Sequence, residues 1–190
     1  MKKVFIISFL VSSLMVYSQT DLPYDKIPDY PETYTPETSI ARLVDGLGFR
    51  YYWATEGLRM EDLAYKPSPE ARTSRETLEH IHGLTNFLVN TTRGDVQNSV
   101  DITDMSFEEL RKATLSNILE ASETLKSGVV TLDELIVKFE GRDTTYPFWN
   151  LINGPIADAL WHTGQVVSFR RASGNPFNSN VSVFNGRLRN

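Results

Sequence analysis

Residues 158 to 165 read DALWHTGQ, which puts an acid and an imidazole four positions apart in a largely apolar segment. On a helix, residues i and i+4 project from one side, so Asp158 and His162 would present a carboxylate and an imidazole together. Gln165, three residues further on, shares that side. The other two histidines, His80 and His82, both lie in LEHIHGL. Two residues apart they stand about 200° round a helix, so both cannot enter one site. His80 shares the side of Leu84 and Phe87, which should face inward, and is the better third ligand. His82 reads as a partly exposed helix histidine, and would replace His80 if the helix were rotated.

Neutral imidazole and ionised carboxylate are ligands for zinc, iron, nickel or manganese. Three protein ligands leave open positions for water and substrate, the arrangement of catalytic sites. A divalent ion held there brings the pKa of bound water to about 7 and polarises a carbonyl or phosphoryl oxygen. Two histidines and a carboxylate are also the ligand set of non-haem iron sites that activate oxygen. A plainer reading accounts for the same spacing. An acid four residues before a histidine often forms a surface or capping pair, and Asp158 near a helix start would be favoured by the dipole alone.

Other residues could serve such a site. Glu56, in FRYYWATEGL, is the general base the sequence offers, and Trp53 beside it could line the mouth. Such residues are more often a solvated acid and a core aromatic. Arg170 and Arg171 close the segment that carries His162, where cations suit a helix C-terminus; Arg170 is a candidate substrate contact. Trp161 reads as packing. With no cysteine, the protein has no thiolate chemistry, disulfide or lipid-modified N-terminus.

These side chains need rigid elements to hold them. Thr35 followed by Pro36 is an N-cap and first helical residue. Ile40, Leu43, Val44, Leu47, Tyr51, Ala54 and Leu58 then recur at helical spacing, giving a first helix of about six turns that ends before KPSPE. Thr73 with Glu76, and Ser106 with Glu109, are capping boxes that open a second helix to about Thr92 and a third. The third carries Phe107, Leu110, Thr114, Ile118, Ala121 and Leu125 on one face. Residues 129 to 146 lean towards β structure. The fourth helix ends near Ser173, before GNP. It starts either at Pro155, or at Pro147 with a kink at Gly154-Pro155. The fold class expected is all-α, an up-and-down four-helix bundle whose sites are built from inward side chains of facing helices.

The ends of the chain read differently. MKKVFIISFLVSSLMVYSQ has two lysines before an apolar run from Val4 to Tyr17, a secretory signal over residues 1 to 18. Residues 19 to 35 form an extended surface leader, residues 36 to 176 the bundle, and residues 177 to 190 an extended strap. Periplasmic or secreted export follows. Loss of Lys2 and Lys3 with the signal takes the formal charge from -5 to -7. An acidic protein offers no electrostatic reason to bind nucleic acid or anionic lipid. A small-molecule substrate is the expected partner, and a homodimer a candidate assembly.

The order of these signals over residues 36 to 176 resembles the DinB-like superfamily of four-helix metal-binding proteins. TSRETLEHI fits its Ser/Thr cap followed by a ligand histidine. DALWHTGQ fits its H-x-x-x-H-x-G-Q signature, followed by the arginine and glycine of SFRRASG. The resemblance implies metal ligands at His80, Asp158 and His162, with Gln165 as a supporting hydrogen-bond partner or helix-orienting residue. It also implies metal-dependent hydrolysis or thiol transfer. Asp158 stands where the family has a histidine, which hardens the ligand set and bears on the metal's identity, whether zinc, nickel, iron or manganese.

Overall fold

The computed structural model describes residues 22 to 189, so the signal-like run lies outside the described residues. The chain is mostly helical with a few short strands. In order the elements are α1 (Pro36–Thr55), α2 (Met60–Ala64), α3 (Ser74–Arg93), β1 (Val96–Gln97), α4 (Phe107–Lys126), β2 (Ile136–Phe139) and β3 (Tyr146–Pro147). Then come α5 (Trp149–Leu151), a π-helical turn (Ile152–Ile156), α6 (Ala157–Ala172), β4 (Val181–Ser182) and β5 (Arg187–Leu188).

The helix starts follow from side chains that satisfy the orphan amides of a first turn. Thr35 Oγ1 accepts from Thr38 N, and Pro36 occupies the first helical position. Thr73 and Glu76 satisfy each other's backbone N–H groups, as do Ser106 and Glu109. The first helix is shorter than the hydrophobic spacing predicts. It stops at Thr55, and Gly57 with φ 67° turns the chain into the separate α2.

Four long helices enclose the core. α1 packs on α4 and α6, and α3 packs on the same two. Leu47, Tyr51, Leu78, Ile81, Leu110, Leu115, Ile118 and Val166 are all fully buried between them. Cross-helix pairs give the directions. Asp45 meets Lys126 while Thr55 meets Arg111, so α1 and α4 are antiparallel. His82 meets Thr114 while Arg93 meets Glu120, so α3 and α4 are parallel. This departs from the up-and-down alternation expected. After α3 the chain must return along roughly 30 Å of helix before α4 can start. Residues 94 to 106 can do so, since thirteen extended residues reach about 43 Å.

Two further differences concern the connections. The β-leaning stretch yields one four-residue strand, β2, which pairs in parallel with β1 (Val96↔Lys138) and antiparallel with β3 (Ile136↔Pro147). The tail is a small hairpin of β4 and β5 rather than a plain strap. The leader is also not wholly superficial. Tyr24 is 3% exposed and donates to Asp45 Oδ1 at 3.0 Å, and its ring lies against Gly48, where a Cβ would come within 2.5 Å. No helix among the described residues is long and apolar enough to cross a membrane.

Candidate metal centre

α3 and α6 face one another antiparallel. Tyr65, whose carbonyl accepts from Ser74 N at the start of α3, stacks near Phe169 late in α6, while His80 meets the first turns of α6. His80 Nε2 is 3.2 Å from Asp158 Oδ2, and His162 Nε2 is 3.3 Å from Asp158 Oδ1. The two imidazoles are nearly perpendicular, 84° apart, with centroids 4.7 Å from each other. One ligand atom from each of the three residues falls within 4.8 Å of the others.

This spacing suits a small cation. An ion with tetrahedral bonds of about 2.1 Å holds its donors about 3.4 Å apart. The two histidine–carboxylate separations, each to a different oxygen of Asp158, are close to that figure and to a hydrogen-bond length alike. The side chains are part open to solvent, at 32% for His80, 39% for Asp158 and 16% for His162, so remaining positions on an ion would face water.

Gln165 adds a stronger argument. Its Oε1 lies 2.7 Å from His162 Nδ1. As the amide is oriented, that oxygen can only accept, so Nδ1 carries the proton. In the neutral form of that tautomer the Nε2 lone pair is turned towards Asp158 Oδ1. Two acceptors facing at 3.3 Å repel unless a proton or a metal cation sits between them. A side chain that fixes the tautomer of a ligand histidine in this way is the usual support of a metal site.

The local backbone sets the position of Asp158. Of the two starts the sequence allows, the chain takes the longer path. Helical turns begin at Trp149, pass through the π turn and reach α6 across a kink at Gly154 (φ -90°, ψ -109°) and Pro155. Pro155 has no N–H for the helical ladder, and a kink there is its ordinary consequence.

His82 is not the partly exposed histidine expected; it is 4% exposed and turned towards α4. Thr114 gives its hydroxyl proton to Leu110 O at 2.8 Å, so His82 Nδ1 is the donor across the 3.2 Å to Thr114 Oγ1. Burial pushes the His82 pKa below its ordinary 6.5. His80, not His82, is therefore the histidine brought to Asp158.

The remaining candidates are engaged elsewhere. Glu56 pairs with Arg111, and none of its described polar contacts reaches the three ligands. Trp53 Nε1 donates to Asp25 O at 3.0 Å and ties the leader to α1. Arg170 is 4% exposed, and its guanidinium donates to Trp53 O, Ala54 O and Asn175 O, which closes the C-terminal ends of α1 and α6. Arg171, next along the helix, is exposed. Trp161 does not pack inward; it is 72% exposed beside His162.

Sequence reasoning passed over Asp45, which is 3% exposed and held by Tyr24, Ser122 and Lys126. An acid beside Val44 on the core-facing side of α1 was the available signal. No family model and no curated protein matches this sequence.

Proposed function

We propose that this chain is an exported, DinB-like four-helix bundle that holds one divalent ion at His80, Asp158 and His162 and acts on a small molecule there. Zinc, nickel, iron and manganese all suit the donor set. The observation that carries the reading is the convergence of His80, Asp158 and His162, with one ligand atom of each within 4.8 Å of the others, while Gln165 holds the other ring nitrogen of His162.

When bound, the ion would supply Lewis acidity and an activated water. His80 and His162 bind as neutral imidazoles, Asp158 offsets one positive charge, and Gln165 keeps the His162 ring in its ligand tautomer. Hydrolysis is favoured over thiol transfer because small reduced thiols are scarce outside the cytoplasm. The second reading is a non-catalytic bundle that binds metal or ligand. It is favoured by one observation: the general base named from the sequence, Glu56, is occupied by Arg111.

The test is metal content. The full chain, purified without chelators or affinity metals, is measured by mass spectrometry beside an Asp158→Ala, His162→Ala double variant. About one ion per chain in the parent and none in the variant is the expected result. An empty parent, even after reconstitution with zinc, nickel, manganese and iron, overturns the proposal. A loaded parent that hydrolyses no ester, amide or phosphoester in a broad screen leaves the second reading in its place.

A further inference from the structure

A groove runs between α1 and α6 on the side of α6 away from the three ligands. At 100° per residue, Gly164 and Val167 lie about 200° and 140° round the helix from His162. The cavity measures about 580 Å³, within the range of small-molecule sites. Leu43, Leu160 and Val167 line it, together with Phe177 and Val183 of the tail. Leu43 and Val183 remain 39% and 41% exposed, so the described residues leave part of the apolar lining uncovered.

Two cations stand at one end, Arg50 and Arg171. Neither has an acidic partner among the described residues, in a protein whose net charge is -5. Arg50 is held in place. Its Nη1 donates to Gly46 O at 2.8 Å, and a Cβ at position 46 would come within 3.0 Å of the same nitrogen. The glycine lets the guanidinium lie back along α1, and the remaining N–H donors of its fork have no partner among the described residues.

We propose that this groove binds a small amphipathic carboxylate, with its hydrocarbon chain along Leu43, Leu160 and Val167 and its head group on Arg50 and Arg171. The charge complementarity selects an anion, the apolar walls select a chain, and the site is independent of the metal centre.

Decanoate is the probe, titrated calorimetrically into the purified full chain below its micellar concentration, with decanol as the uncharged control. Saturable binding of one decanoate per chain is expected, with decanol at least tenfold weaker. Arg50→Gln should weaken decanoate at least tenfold. Gly164→Leu should abolish binding. A Cβ at position 164 would meet nothing within 4 Å, and the residue sits mid-helix, so leucine fills the groove without disturbing α6. Its melting temperature should be no lower than the parent's, which separates a filled groove from a lost fold. Absence of saturable binding overturns the proposal, as does unchanged affinity in either variant or equal affinity for decanol. Capture only by anionic phospholipid vesicles would assign the groove to a lipid surface instead. A dimer in light scattering that Gly164→Leu dissociates would assign it to a second copy of the chain.

Discussion

Replacing Gln165 with leucine removes the acceptor 2.7 Å from His162 Nδ1 while keeping similar bulk on the same turn of α6. The ring nitrogen then depends on solvent, which reaches a side chain only 16% exposed. An N–H left partly unmet costs about 1–2 kcal/mol. The cost falls on the metal-bound form, because only that form requires the proton to stay on Nδ1. At about 1.4 kcal/mol per tenfold, the dissociation constant of the ion should rise about 5- to 30-fold. That range overlaps the tenfold to hundredfold measured for outer hydrogen bonds of ligand histidines. The assay is competition for zinc against a chelating indicator, run on the parent, Gln165→Leu and Gln165→Glu. The glutamate variant keeps an acceptor and adds charge, so it should bind at least as tightly as the parent. A leucine variant within twofold of the parent would refute the claim that this hydrogen bond selects Nε2 as the ligand. Complete loss of binding would make Gln165 a ligand in its own right.

Arg170→Lys should cost about 2–4 kcal/mol in urea denaturation, because one ammonium cannot meet carbonyls of Trp53, Ala54 and Asn175 together, yet metal stoichiometry should not change. A stable variant with altered activity would return Arg170 to a substrate role. Gly48→Ala should expel the Tyr24 ring, since the new methyl would lie 2.5 Å from it, and so expose the leader to protease while costing about 1–3 kcal/mol. Unchanged cleavage would show that the leader is held by other contacts. The Arg59 guanidinium, then Ser173 and Asn175, hold the Asp62 carboxyl well below its ordinary 3.8 despite its burial. A depressed carboxyl stabilises fully above its unfolded value and loses that contribution as pH falls below about 4. Asp62→Asn should therefore be less stable by about 2–3 kcal/mol at neutral pH, with a shallower loss between about pH 4 and 2; parallel urea midpoints for parent and variant would refute it.

The parts of the fold legible in the sequence are those governed by local chemistry. Thr35-Pro36, Thr73 with Glu76 and Ser106 with Glu109 announce helix starts because the satisfying group lies within three residues. The ladder Leu110, Thr114, Ile118, Ala121 and Leu125 is buried as its spacing predicts. The illegible features depend on distant partners. That α3 and α4 run parallel is decided by a connection without periodicity, and the burial of Tyr24 by a glycine twenty-four residues further along the chain. His82 reads as partly exposed because it stands about 200° round the helix from His80, whereas it is buried against α4, where it meets Thr114. The three candidate ligands were legible for the opposite reason. Asp158 and His162 share a helix, and His80 stands about 200° round α3 from the buried His82.

The kink before α6 alters the weight of the plainer reading of Asp158. That reading makes the acid a response to a free helix start, where unmet amides and the dipole favour a negative charge. In the structure, helical turns precede Asp158 from Trp149 onward, but Gly154 (φ -90°, ψ -109°) is non-helical and breaks them, so Asp158 lies in the first turn of α6. The dipole of α6 therefore still favours a negative charge at this position. No lysine or arginine among the described residues pairs with Asp158, and its described polar partners are the Nε2 atoms of His80 and His162. The His162 ring meets Gln165 through Nδ1, which leaves Nε2 turned to Asp158. The helix start accounts for an acid at position 158; what it does not account for is the convergence of two imidazoles on that acid, the arrangement that a divalent ion or a shared proton would bridge.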